Sequence, residues 1–497
     1  MMSKQQWLVC FDTDRIKQYL FVTNRLKEIR GGSALLENLD RKRKKELQDR
    51  YEKNLVYSAG GGAAVLVSTE QEAKDLIAQI EREFQAETIT ASITGVFLPT
   101  NGPGREFGER MAEAGQRLRR VKAAKAELTT LPIEPYLCLC DSCGQQLAAT
   151  RANDRSGDWL CCSCDKKRKP GGDKRQGYFD EFLEWIGSVE WNRTEIADDL
   201  DGIGVVARPP NYVGFIALDG NHIGSLLDKP QTIERYGQFS TGLYNLTKEQ
   251  VFTALQDHGS PRDGIAPFEI VLIGGDDVLL ITAADIAIEV ALTIAEGFER
   301  KSLSKVVDPA GLTDVKNLTM AGGIVLAHAD FPIPAMHQLA EALQKSAKKH
   351  CASEGYETGA IDFLIVSGSD TDLETMRKTI PHRRPYTLEK LGCLLSHIRQ
   401  LKRVDFPMSQ LQTMYQALFE SEVNAQLASI ATLGRLGQRE DKELYNRLKT
   451  FFSDFGVKFD GQLPPWDADT KERDGRKVSA LTDLVELYPF IQVKGGA

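Results

Sequence analysis

The sequence predicts an α+β chain: two ferredoxin-like βαββαβ units, a zinc ribbon between them, and an all-helical C-terminal domain. Three observations carry this expectation. Apolar runs flank the turn Ile273-Gly274-Gly275-Asp276-Asp277, the first 130 residues echo the centre of the chain, and strand patterns give way to helical periodicity after residue 370. The expected division is a first unit over 1–130, the ribbon over 131–175, a linker and helix over 176–205, a second unit over 206–370 and the helical domain over 371–497.

The first unit opens on a strand-like run, Trp7-Leu8-Val9-Cys10-Phe11, ending in Asp12-Thr13-Asp14. Ile16, Leu20, Phe21, Leu26 and Ile29 then give a helical period that Gly31-Gly32 is expected to stop. Residues 54–58 and 65–67 read as strands around the turn Gly60-Gly61-Gly62, residues 90–97 as a further strand and 111–117 as a helix. Asp12 and Asp14 are expected to cap the helix that follows them.

Cys140-x-x-Cys143 and Cys161-x-x-Cys164, 17 residues apart, have the two-knuckle spacing of a structural Zn²⁺ site. Four thiolates leave no open position, so such an ion staples structure. Cys138 and Cys162 leave a shifted ligand choice open. Residues 165–180, rich in Lys, Gly and Arg, read as a linker, and 178–189 as a short amphipathic helix.

The second unit repeats the first. Residues 211–219 form a strand ending in Asp219, the runs 268–273 and 278–281 flank the turn, 318–325 parallels 90–97, and 339–345 parallels 111–117. Only this copy has acids at its turn. Beyond it, Leu388, Leu391, Leu394, Leu395, Ile398 and Leu401 mark a helix, with others expected over 408–420, 422–436 and 441–453. His382-Arg383-Arg384 reads as a solvated helix start.

The turn carries the chemistry. Gly and Asp are common turn residues, so an ordinary hairpin is the plain reading of Gly274 to Asp277. The strand-terminal Asp219 favours another: three carboxylates on adjoining strands suit two Mg²⁺ or Mn²⁺, hard cations that take one or two protein carboxylates each. Phosphoryl transfer to a hydroxyl uses two such ions roughly 3.5–4 Å apart, on the attacking and leaving oxygens. The pattern points to nucleotidyl transfer. His222 reads as a loop histidine without a catalytic role.

Composition excludes little else. The chain has 497 residues, 42% hydrophobic and 27% charged, as in ordinary globular proteins. Its net charge of −8 makes no global case for nucleic-acid binding, and the basic runs 41–45, 117–125 and 166–169 read as solvated faces. No apolar run approaches the roughly 20 residues of a membrane span, and the N-terminus lacks a secretory core. A cytoplasmic location without membrane contact is expected.

In this order, the features resemble the CRISPR polymerase family: Cas-ten, close to its Cmr branch, the large palm-domain subunit of type III CRISPR effector complexes. The resemblance rests on Phe11 to Lys17, Ile29 to Leu36, the four-cysteine ribbon, Ile273 to Asp277, Gly323 to His328, Ser346 to Lys349 and Arg384 to Leu388. It implies two palms, the second a cyclase that joins ATP through 3′–5′ linkages with pyrophosphate release. The implied products are cyclic oligoadenylates that act as second messengers in antiviral defence. Asp276, Asp277 and Asp219 would be the catalytic metal ligands, and Gly274 and Gly275 would face the phosphates. Lys345 and Lys348 would neutralise triphosphate charge, although their helical pattern equally fits solvent-exposed lysines. The implied partners are ATP, RNA and CRISPR-type protein subunits, with self-association of palms. Because the pattern starts at residue 7 and no His-Asp dipeptide occurs, activity from an HD nuclease domain is not expected.

Three alternatives stand beside this reading. A diguanylate-cyclase-like enzyme shares the palm and the acidic turn, but that family normally has an aromatic residue where this chain has Val278. An RNA-binding scaffold subunit with little catalysis would not need the acids. A template-directed polymerase would need thumb and fingers, which the pattern does not identify.

Overall fold

The computed structural model describes every residue except 1–5, 101–106, 126–136, 155, 174, 176, 228, 230–231, 367, 369–371, 378–379, 441, 460–462, 468–476 and 494–497. The expected boundaries at 130/131 and 370/371 lie outside the described residues.

The first unit runs β1 (Trp7–Asp14), α1 (Leu26–Tyr51), β2 (Leu55–Ala59), β3 (Gly62–Val67), α2 (Glu70–Thr88), β4 (Ser92–Pro99) and α3 (Phe107–Ala124). Its sheet order is β2-β3-β1-β4, with β1 antiparallel to both neighbours. That is the order of the split βαβ unit. Val9 and Phe11 point to one buried face of β1, while Leu8 and Cys10 pack on the other with Met111, Ala114 and Leu118 of α3. Burial on both faces explains the unbroken apolar run in the sequence.

After the ribbon come its helix α4 (Cys162–Gly171) and α5 (Tyr178–Ile186). The second unit follows as β5 (Tyr212–Gly220), α6 (Ile233–His258), β6 (Phe268–Gly274), β7 (Asp277–Ala283), α7 (Ala284–Ser302), β8 (Met320–His328), α8 (Ile333–Ser353) and β9 (Ala360–Ile365). Its sheet extends the same order: β6-β7-β5-β8, then β9 parallel to β8, then a two-residue strand, β10 (Tyr386–Thr387).

The units pack reciprocally. Helix α6 lies so close to β2 that a Cβ at Gly237 would sit 2.5 Å from the Val56 carbonyl oxygen. Helix α1 lies on β6, where Arg30 pairs with buried Glu269 at 2.6 Å and Ser33 donates to the Val271 carbonyl at 2.6 Å. Each unit's first long helix thus rests on the other's first hairpin strand, the arrangement of an isologous pair. The two turns meet between them. Gly60 and Gly275 both have left-handed φ, +62° and +60°, and a Cβ at Gly60 would lie 2.7 Å from the Gly275 nitrogen.

Ladder register aligns the copies residue by residue. Phe11 lies opposite Ala63 and Asp12 opposite Gly62, while Leu218, the residue before Asp219, lies opposite Val278, the residue after Asp277. Asp12 therefore matches Asp219, and Gly61 and Gly62 stand where the second copy has Asp276 and Asp277. Arg15 and His222, both left-handed (φ +48° and +62°), each open a short helix at the same place. This aligns Lys17 with Gly224.

Several expectations are corrected. Gly31-Gly32 does not stop a helix; α1 runs through both. Residues 165–180 are not a linker, since α4 occupies 162–171 and α5 begins at Tyr178. The glycines serve close packing: a Cβ at Gly31 would fall 1.7 Å from the Lys167 carbonyl oxygen, and one at Gly171 1.8 Å from that of Lys27. Asp12 and Asp14 cap nothing. Asp14 is buried and accepts from Ser92 (2.7 Å), Thr94 (2.8 Å) and Lys125 (2.7 Å), while Asp12 pairs with Lys122 at 2.7 Å. Burial pushes the Asp14 carboxyl up, but these donors outweigh it and hold it below its usual value.

The C-terminal region holds α9 (Leu388–Arg403), α10 (Met408–Glu420), α11 (Glu422–Gly437), α12 (Glu443–Asp454) and α13 (Ala480–Leu487). It is not all-helical, because β10 joins the second sheet. Nor is the His382-Arg383-Arg384 run solvated. Arg384 is fully buried between Asp483 and Glu486 of α13, and Arg383 reaches Asp467 at 3.0 Å. Among the basic runs, Arg43 and Lys167 are buried too. No helix among the described residues is long and apolar enough to cross a membrane.

Candidate metal centre at the glycine turn

The hairpin β6–β7 pairs Gly274 with Asp277, leaving Gly275 and Asp276 as the two turn residues. Gly275 faces open space: a Cβ there would meet nothing within 4 Å. Strand β5 lies beside β7 and brings Asp219 to the same end of the sheet. The turn also presses on the end of β5, since a Cβ at Gly220 would come 2.8 Å from Oδ2 of Asp276.

The three carboxylates are half-buried side by side at this end of the sheet. Burial, then the charge of Asp219, pushes the Asp276 carboxyl up to about 8. Burial also raises Asp277; Lys17 opposes this and Asp219 adds to it. Two lysines hold the cluster. Lys348 of α8 bonds Oδ2 of Asp219. Lys17, from the first unit, lies 3.0 Å from Oδ2 of Asp277 and 3.3 Å from Oε1 of Glu341. Oδ1 of Asp277 is buried and receives no hydrogen bond. Among the described residues, the acid trio does not close into a group whose ligand oxygens all lie within 4.8 Å of one another. Like charges part, and each lysine draws an acid to itself.

This donor set fits Mg²⁺ or Mn²⁺. It offers hard carboxylate oxygens, one of them buried without a partner, and a repulsion that a dication would relieve. Of the nucleotide-facing candidates, Lys348 is at the acids and Lys345 is exposed on the same helix. His222 turns its ring toward Tyr356, 5.0 Å between centroids.

Lys17 and Glu341 were not among the predicted site residues. Glu341 was detectable, since it precedes Lys345 and Lys348 by four and seven residues on one helix face. The His337 ring 3.5 Å away, with Lys17 alongside, lowers its carboxyl to about 2. Lys17 carried no such signal, because it belongs to the copy whose turn has no acids.

The ribbon cysteines gather as expected. Cys140, Cys143, Cys161 and Cys164 have sulfurs within 4.8 Å of one another, a cluster suggestive of a structural zinc site, while Cys138 and Cys162 are exposed outside it. Hydrogen bonds from Cys161 and Cys164 hold the Cys143 thiol far below its usual value. Buried Lys167 stands next to the cluster, its amine bonded to the Tyr19 carbonyl and 3.7 Å from that ring's centroid. A second group, Cys393, His397 and Asp454, also has donors within 4.8 Å.

Residues 212–354 match the family model "Cas10/Cmr2, second palm domain". The CRISPR system Cmr subunit Cmr2 of Pyrococcus furiosus is 26% identical over 185 residues, covering 33% of this chain and only 20% of that relative's length. Csm1 of T. onnurineus superposes with a TM-score of 0.60 at 15% identity, over 99% of this chain and 70% of that one. The Csm1–Csm4 cassettes in complex with cA3 and with pppApA superpose at 0.58 and 0.56, each at 15% identity and the same coverage. Residues 212–354 thus belong to the Cas10/Cmr2 family as its second palm domain, within a chain that has the fold of Csm1 over nearly its whole length.

Proposed function

We propose that this protein is a nucleotidyltransferase that joins ATP into a cyclic oligonucleotide, with Asp219, Asp276 and Asp277 as its catalytic metal ligands. One observation carries the reading: three mutually repelling carboxylates meet at a glycine turn that opens to space, inside the segment matching a Cas10/Cmr2 second palm. The related cassettes with cA3 and pppApA support adenylate as the unit joined.

In this reading the 3′-hydroxyl of one nucleotide attacks the α-phosphorus of the next. The bond to pyrophosphate breaks, and the hydroxyl proton leaves to solvent. Bound Mg²⁺ or Mn²⁺ supplies charge neutralisation at the attacking and leaving oxygens. The chain's own part is positioning and electrostatics. Gly275 leaves space for a phosphate to approach the turn, and Lys348, released from Asp219, offers an ammonium to the triphosphate. Lys345 stands one helical turn away for the same charge. The four ribbon cysteines hold zinc for structure. RNA and protein subunits such as Csm4 are the proposed setting, and the product would act as a second messenger in antiviral defence.

Mass spectrometry of products from purified protein with each nucleoside triphosphate, Mg²⁺ or Mn²⁺, and with or without RNA tests this reading. Cyclic products from ATP with released pyrophosphate are expected. A cyclic dinucleotide from GTP alone would favour the diguanylate-cyclase alternative, and no product under any condition would favour the scaffold.

A further inference from the structure

The first unit, whose own turn has no acids, reaches the acidic turn of the second through Lys17. Its amine lies 3.0 Å from Asp277 and 3.3 Å from Glu341, across the line along which the copies meet. The asymmetry is informative. The second copy has Gly224 where the first has Lys17, and the first has Gly62 where the second has Asp277. The reverse pair across the interface is therefore glycine on both sides. Lysine and acid occur together on one side and are missing together on the other.

The placement of Lys17 is built. It sits on the helical turn Ile16–Leu20, whose Tyr19 carbonyl accepts from buried Lys167 of the ribbon helix. Phe21, next in the chain, stacks on His337 of α8 at 4.3 Å, and His337 lies 3.5 Å from Glu341. The segment that follows Lys17 is thus fixed to other parts of the fold at two points. Lys17 itself stays about one-quarter exposed, beside a carboxylate oxygen that has no hydrogen bond.

We infer that Lys17 is a positioning residue supplied across the pseudo-twofold. It is the counter-ion of Asp277 while no cation is bound, and it moves to the nucleotide triphosphate when a dication takes that carboxylate. This rests on the acids being the cation site. The amine and the dication compete for Asp277, but both attract the triphosphate. Removing the amine therefore acts with opposite sign on two equilibria, which a merely structural role would not do.

The test is Mn²⁺ titration of the full chain, followed by titration of Mn²⁺-loaded protein with a non-hydrolysable ATP analogue, for wild type, Lys17→Gln and Lys17→Arg. Lys17→Gln should bind Mn²⁺ alone several-fold more tightly and the analogue about tenfold more weakly. Lys17→Arg should restore analogue binding. Unchanged affinities in Lys17→Gln, or both weakened together, would overturn the inference while leaving the cation site standing. If wild type binds no Mn²⁺ at the turn, with zinc content unchanged, the site reading itself fails and the inference falls with it.

Discussion

Glu37 shows how a single buried acid makes this fold sensitive to pH. It lies on α1 facing a cavity of about 120 Å³ between the units, which Asp40 and Glu181 also line. Burial, opposed by Arg41 and reinforced by Glu181, pushes its carboxyl up to about 7 from 4.5. A raised folded value favours the protonated form. The contribution is complete below about pH 4.5 and lost as pH rises through about 7, a gap corresponding to about 3 kcal/mol. Chemical denaturation of wild type and Glu37→Gln from pH 4.5 to 8.5 should show the variant losing less stability across that window. Parallel curves would refute the assignment. At this scale the acids of the turn were legible, because a strand-terminal Asp and a Gly-Gly-Asp-Asp turn keep their meaning in isolation. Lys17 was not, since its role exists only once two distant segments pack.

Elements were read well where periodicity was strong and poorly where glycine carried the signal. Helices α10 and α11 fall within a residue of their expected bounds, and α12 within about two, because apolar residues recur at helical spacing. Gly31 and Gly171 were read as a stop and a linker, but they let α1 and α4 approach backbone to backbone. Gly31→Ala should therefore cost about 3 kcal/mol or more, measured by denaturant unfolding, because its methyl meets a carbonyl rather than a yielding side chain. A neutral effect would mean the helices do not approach this closely. The ribbon offers a second test. Purified protein should hold one zinc per chain, and Cys161→Ser or strong chelation should remove it and lower the melting temperature by several degrees. Zinc-free protein of unchanged stability would show that thiol packing alone suffices.

The molecule is a pair of like units made unlike at their meeting point. The sequence revealed the repeat and which copy keeps acids, but not that each long helix crosses to the other unit or that Gly60 and Gly275 touch. Those contacts depend on long-range packing that local patterns do not encode. The buried Arg384, read as solvated from its charge, has the same cause: its partners Asp483 and Glu486 lie about a hundred residues away. At this scale the acidic turn is the proposed seat of chemistry and the rest of the chain its support. Product formation from ATP with Mg²⁺ or Mn²⁺ by Asp276→Ala/Asp277→Ala, beside wild type of matched helicity and zinc content, tests this most directly. The account predicts a loss of roughly a thousandfold or more, the several kcal/mol that metal-held charge stabilisation supplies. Wild-type product yield from that variant would contradict it.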